Sequence, residues 1–264
     1  MFATSASLLA DLRSLGVRPG DGIFVHASLS AIGNVVGGAR AVVGTLIEAV
    51  GRDGLIGMPG FSADAYLPDF LQIHESVPEV IRQAESAVLG FNLKTSPTAG
   101  MGLIAETFRT WPETLRSSHP CVSICLRGID AKSYISPHQL DWATGPETPL
   151  GKLCNRPQMK ILLIGVGWNR CSALHTAESM APHQRTKIRR FKANPADVEF
   201  SQTADVADDG NRLFPAVGQD FESAGAVTFG LIGKAEARLC GYADLVVFAS
   251  RWIDKSNIAS GDTA

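Results

Sequence analysis

The chain has 264 residues, 45% hydrophobic and 19% charged, which is enough apolar material for a substantial core and argues against disorder or a repeat architecture. Its formal net charge of −2 argues against nucleic acid as the main partner, because phosphate binding draws on an excess of Lys and Arg. Apolar runs such as Ile161 to Val166 are too short to span a bilayer, and Asp11 and Arg13 interrupt the one stretch that might serve as a signal sequence.

Ser5 to Leu15 sets Leu8, Leu9, Leu12 and Leu15 at helical spacing and stops at Gly16, after which Pro19-Gly20 turns the chain. Gly22 to His26 predicts a short strand, Ala27 to Gly38 a small-residue loop, and Ala39 to Val50 a helix ended by Gly51. With Leu55 to Met58 as a buried strand closed by Pro59-Gly60, this opening predicts a β-α-β unit, whose ligands gather at the carboxyl ends of the strands. Phe61 to Pro97, interrupted by Pro68, Pro78 and Pro97, predicts a long excursion with a helix from Pro78 to Glu85; such structured loops are often functional. Met101 to Arg109 predicts a helix and Val122 to Leu126 a strand. Lys160 to Val166 is the strongest strand, and its Gly-rich end leads into a helix bearing His175 and Glu178. A helix over Ile232 to Leu239 and a buried strand over Asp244 to Phe248 complete the pattern. The expected fold class is α/β, a central mixed β-sheet flanked by helices, as a single large domain over residues 1–264 with a cleft.

Charge is unevenly placed. Ala181 to Asn194 carries Arg185, Lys187, Arg189, Arg190 and Lys192 with no acid, which fits a solvated face, a phosphate contact or an ion pair to an acidic stretch. Ala196 to Glu222 sets seven acids, Asp205, Asp208 and Asp209 among them, against Arg212, and Phe61 to Glu85 sets five against Arg82. Five scattered cysteines without a CxxC pair fit reduced thiols in a cytoplasmic protein. His119, His138, His175 and His183 are too dispersed for a zinc site, and no HExxH is present, so no metal is expected.

Two segments can carry chemistry. His26 to Gly38 lies between a strand and a helix, where backbone N–H groups favour an anion such as a pyrophosphate, although its glycine spacing is neither a dinucleotide fingerprint nor a P-loop. Gly165 to Glu178 delivers His175 to a strand's carboxyl edge, where a general base is useful, with Glu178 three residues on along the same helix face. A packed histidine satisfied by its neighbours is the other account of His175. Cys171, four residues before it, raises the rival of a thiolate acyl-enzyme.

Taken together, these segments resemble the aminoglycoside 3-N-acetyltransferase family, from about Leu8 to Trp252. The resemblance rests on the loop from His26 to Gly38, on Ser96-Pro97 with Met101-Gly102, Glu106, Phe108 and Arg109, and on Arg116 to Ser123. Thr148 to Leu153 and Cys171 to Glu178 continue it; Cys171 stands where the family has Asn, and Ser172 where it has Thr. The resemblance implies acetyl transfer from acetyl-CoA to the 3-amino group of a 2-deoxystreptamine aminoglycoside, conferring resistance. A same-fold acyltransferase for another amine, in antibiotic or secondary-metabolite biosynthesis, is the alternative. It further implies that His175 is the base, that Glu222 orients it, and that the Ser172 hydroxyl meets the thioester or oxyanion. For acetyl-CoA it implies contacts from Ser28, Leu29, Ser30, Val35, Val36, Gly37 and Gly38, with Ser96, Met101 and His119 completing the set. The polycationic acceptor is expected to meet Asp64, Asp69 and Glu178, with some of Asp205 to Asp209 adding to an acid-lined cleft, and residues 61–97 helping to form the acceptor site.

Overall fold

The computed structural model describes residues 2–67, 78–206 and 211–260. The first helix, α1 (Ser5–Leu15), starts at Thr4, whose side chain accepts the Ser7 N–H while Ser7 reaches back to the Thr4 backbone, and it stops at Gly16 in the left-handed conformation with φ 112°. Strand β1 (Gly22–Ala27) follows, then a single turn α2 (Leu29–Ile32), helix α3 (Gly38–Val50) and strand β2 (Leu55–Pro59). Beyond them come α4 (Pro78–Ala87), α5 (Gly102–Arg109), β3 (Leu115–Arg116), β4 (Ile124–Gly128), α6 (Ala131–Ile135), α7 (Pro149–Cys154) and β5 (Met159–Ile164). A 3-10 turn, Trp168–Arg170, leads to α8 (Ala173–Met180), β6 (Thr186–Phe191), β7 (Ser201–Val206), α9 (Phe214–Ser223), β8 (Thr228–Ile232), β9 (Ala235–Gly241) and α10 (Tyr242–Ser260).

Seven strands form one sheet in the order β3-β4-β2-β1-β5-β9-β8, and β6 pairs with β7 in a separate antiparallel ribbon. The pairs β1/β2 and β1/β5 are parallel, whereas β4, β9 and β8 run antiparallel to their neighbours, so the sheet is mixed as expected. Because β1 and β5 are central, both of their faces are covered and they read as continuous apolar runs. Ile23, Val25, Leu162 and Ile164 join one core with Leu8, Leu12, Val43, Leu46 and Phe108 from α1, α3 and α5. Phe24, Ile161 and Leu163 point the other way, against Leu174, Phe214, Val217, Tyr242 and Leu245. Full burial of a side chain such as Phe24 contributes roughly 1.5–3 kcal/mol, so both layers are needed. A third, smaller cluster of Ala65, Phe91, Cys121, Val122, Ala143 and Phe191 ties the excursion after β2 to the β6-β7 ribbon; Lys192 N–H donates to the Ala65 carbonyl and Phe91 N–H to the Lys192 carbonyl, at 2.7 and 3.3 Å.

Two expectations near the C-terminus are corrected. Ile232 to Leu239 is a hairpin rather than a helix: Gly233, with φ 60°, turns β8 into β9. Burial then alternates, with Ala235, Ala237 and Leu239 inward and Glu236 and Arg238 more exposed. Asp244 to Phe248 is helical, because its apolar positions continue at helical spacing through Leu245, Val246, Ala249 and Ile253. Among the described residues no helix is long and apolar enough to cross a membrane.

Candidate active site

The parallel strands β1 and β5 end side by side, and a cleft of about 780 Å³ opens over their carboxyl ends. One wall is the turn after β1. Ser28 caps α2, its hydroxyl accepting the Ala31 N–H at 3.4 Å and lying 3.0 Å from the Ser30 hydroxyl. Opposite it, β5 ends at Gly165, whose φ of 63° and lack of a Cβ let the two loops touch; a methyl there would stand 2.3 Å from Ala31 Cβ. The next segment is pinned from behind. Trp168 donates its indole N–H to Glu222 at 2.7 Å, and its ring leaves room only for the bare backbone of Gly218.

His175 reaches the cleft from α8. Its Nδ1 lies 2.8 Å from Glu178 Oε2, both side chains being nearly buried at 13% and 10% exposure. A carboxylate on Nδ1 holds the proton there and leaves Nε2 as the free base. Phe214 meets the ring edge-on at 4.9 Å, and Thr144, which donates to the His175 carbonyl at 3.1 Å, holds the helix backbone. Ser172 also lines the cleft, and its hydroxyl has no hydrogen-bond partner among the described residues. Cys171 is fully buried, and burial pushes its thiol up to about 12, which disfavours the thiolate that an acyl-enzyme requires.

Of the residues named from the sequence, Ser28, Leu29, Ser30, Met101, Ser172 and His175 come together around this cleft. Others do not. Glu222 is turned away, accepting from Trp168 and, at 2.6 Å, from Arg238 Nε. The carboxylate on the His175 ring is therefore Glu178, which stands behind the imidazole and is engaged there instead of facing a substrate cation. Val35, Val36, Gly37 and Gly38 lie outside the cleft walls; Val35 bridges to Ala3, and Val36 is 57% exposed. Ser96 turns inward, its hydroxyl accepting the Asn92 N–H at 2.9 Å. His119 is structural: Nδ1 accepts the N–H groups of Cys121 and Val122, both at 3.1 Å, and Nε2–H donates to the Leu140 carbonyl. Asp64 sits off the cleft in the excursion, its carbonyl accepting the Gly90 N–H at 2.9 Å. Asp69, Asp208 and Asp209 lie outside the described residues.

An acid-lined cleft was expected; among the described lining residues the acid is Asp205 and the bases are Arg170, Lys187 and Arg189. Arg189 Nε donates to Asp205 at 2.8 Å, so the ribbon realises the ion pair between the basic and acidic stretches. Sequence reasoning also passed over His26, Thr144 and Asn169 as cleft residues. His26 had a signal, its place at the end of a strand inside the loop segment. Among the described residues no three His, Cys, Asp or Glu side chains gather as a metal site.

These roles separate in one substitution. Glu222→Gln is expected to weaken the bonds to Arg238 and Trp168 and lower the melting temperature, at a cost of about 1–3 kcal/mol, while kcat stays near the parental value. A large fall in kcat with an unchanged melting temperature would return Glu222 to the reaction.

Such a site, a carboxylate-paired imidazole in a cleft at the ends of parallel strands of an α/β fold, has the geometry that general base catalysis requires. A family model described as aminoglycoside 3-N-acetyltransferase matches residues 24–254, and the chain belongs to that family. It is 34% identical over 272 residues to the SPbeta prophage-derived aminoglycoside N(3')-acetyltransferase-like protein YokD of Bacillus subtilis, covering 97% of this chain and 95% of that one. Among solved structures it is similar to AAC-IIIb in binary complex with CoASH (TM-score 0.85, 30% identity, 97% of this chain and 98% of the other). AAC-VIa bound to sisomicin is alike to the same degree (TM-score 0.84, 30% identity, 97% and 99%).

Proposed function

We propose that this protein is an acetyl-CoA-dependent N-acetyltransferase that acetylates the 3-amino group of 2-deoxystreptamine aminoglycosides, an activity that confers resistance to them. The observation that carries the reading is the His175–Glu178 pair at 2.8 Å, facing a cleft of about 780 Å³, in a chain of this family. The whole chain acts as one acetyltransferase domain, with residues 61–97 contributing to the acceptor side.

Amines of aminosugars are largely protonated near neutral pH, so the attacking nitrogen must give up a proton. Once the ammonium has released that proton to solvent, the neutral amine attacks the thioester carbonyl, and His175 Nε2 takes a second N–H proton as the N–C bond forms, Glu178 stabilising the imidazolium. The Ser172 hydroxyl donates to the oxyanion that develops on the carbonyl oxygen. Cleavage of the C–S bond releases the thiol of coenzyme A, to which the proton on His175 returns, leaving an amide on the sugar. The turn at Ser28 to Ser30, with Met101, receives the acetyl-CoA arm.

A panel of 2-deoxystreptamine aminoglycosides with acetyl-CoA tests this, read by release of free thiol and by product mass. The expected result is a single added acetyl group, located at the 3-amino position by fragmentation or NMR. A panel without acetylated product would overturn the reading, and an acetyl group at another amine would overturn its regiochemistry.

A further inference from the structure

The cleft holds a second imidazole to which the steps above give no part. His26 is the penultimate residue of the central strand β1, pairs in register with Leu163 of β5, and is only 6% exposed. It packs at 5.4 Å on Phe24. Its Nε2 accepts the Ser172 N–H at 3.2 Å, joining residues 146 apart in the chain. That bond fixes the tautomer, with the proton on Nδ1. Burial, and after it the charge of His175, lowers the His26 pKa to about 3, so the ring stays neutral and does not compete for the proton that His175 takes.

Ser172 is the residue before α8, and its side chain makes no capping bond to the helix. Its position is instead held through the backbone: the N–H is bound by His26, and the carbonyl accepts the His175 N–H at 3.2 Å. A run of hydrogen bonds thus leads from the rigid sheet, through Ser172, to the catalytic helix. Because its N–H is engaged by His26, Ser172 has only its hydroxyl to offer a substrate.

We infer that His26 is a positioning residue for acetyl transfer, its Nε2 holding the Ser172 N–H so that the Ser172 hydroxyl and His175 meet the reacting carbonyl in register. The inference rests on the acetyltransferase reading. Misplacement of reacting groups by about 1 Å costs roughly 100-fold in rate.

The test compares His26→Leu, which removes the acceptor, with His26→Gln, whose amide oxygen reaches about as far as Nε2. The leucine variant is expected to lose roughly 100-fold in kcat, with KM for both substrates moving by less than about threefold. The glutamine variant is expected to recover about tenfold or more of that loss, at a melting temperature similar to that of the leucine variant. Parental kcat in His26→Leu, no recovery in His26→Gln, or a loss confined to KM would overturn the inference. Amide exchange at Ser172, measured without substrate, reads the same link independently of turnover: faster exchange is expected in His26→Leu and protection in His26→Gln. Unchanged exchange in the leucine variant would overturn the inference even if the parent acetylated none of the aminoglycosides, an outcome that would separately end the proposed function.

Discussion

Replacing His175 with Ala is expected to lower kcat by about 1,000-fold, within the range that general bases contribute, while KM for acetyl-CoA stays close to the parental value. The expectation follows from geometry. The imidazole is in the cleft wall with one nitrogen held by Glu178, and the Ser28 turn and Met101, which are assigned to the acetyl-CoA arm, are not supported by the ring. Chemistry and donor binding therefore separate. Removal of the ring also leaves Phe214 without its edge contact, so a melting curve belongs beside the kinetics. Steady-state rates with saturating aminoglycoside decide the matter. A variant that keeps more than roughly a tenth of the parental kcat would exclude His175 as the base.

Acid is expected to unfold this protein more readily than its near-neutral charge suggests. Burial lowers the pKa of His26 and His119 to about 3 and of His138 to about 4, against an ordinary value of 6.5. Burial keeps each ring neutral, although the Leu140 and Ala143 carbonyls oppose it at His119 and His138; His138 lies between the Ser117 hydroxyl and the Ala143 carbonyl at 2.8 and 2.7 Å. Below about pH 6.5 the unfolded chain binds protons at these sites and the folded chain does not, so stability falls as pH falls. The contribution is fully present above that pH and is lost progressively down to the folded values, by roughly 1 kcal/mol per pH unit for each ring. Urea midpoints measured from about pH 7.5 to about pH 5 are expected to drop steeply. His119→Asn, whose carbonyl oxygen replaces Nδ1 as acceptor for Cys121 and Val122, is expected to flatten the slope. A midpoint that does not move with pH would contradict the account.

How far the sequence reveals this molecule depends on how local each signal is. The first half of the sheet was legible because glycines punctuate it and because β1 and β2 are short apolar runs flanking an amphipathic helix. The stretch from Ile232 to Phe248 was not. Ala235, Glu236, Ala237 and Arg238 favour helix by composition, yet β5 offers β9 an open edge to pair with, and that pairing overrides propensity. The four apolar residues after Asp244, Leu245 to Phe248, fit strand or helix equally, and the answer lies in the residues that follow them.

Glu222 was offered as the partner of His175 by the family resemblance, and nothing local in the sequence shows that Arg238, on β9, reaches it. Glu178 carried the better signal, its i,i+3 spacing on the same helix face. His26 could not be paired with Ser172 from the sequence at all, because their contact exists only once β1 and β5 lie side by side.

The residues proposed to do the chemistry lie between His26 and Glu178, but part of what holds them comes later. Gly218 and Glu222 of α9 brace the Trp168 turn, β9 covers the open side of β5, and α10 packs over α8, with Asp254 receiving the His183 N–H at 2.8 Å and Asn257 donating to the His183 carbonyl at 2.8 Å. On the ribosome, then, the reacting groups leave the exit tunnel before these later supports do. A message cut short after α8 is expected to encode the reacting side chains without the segments that brace them.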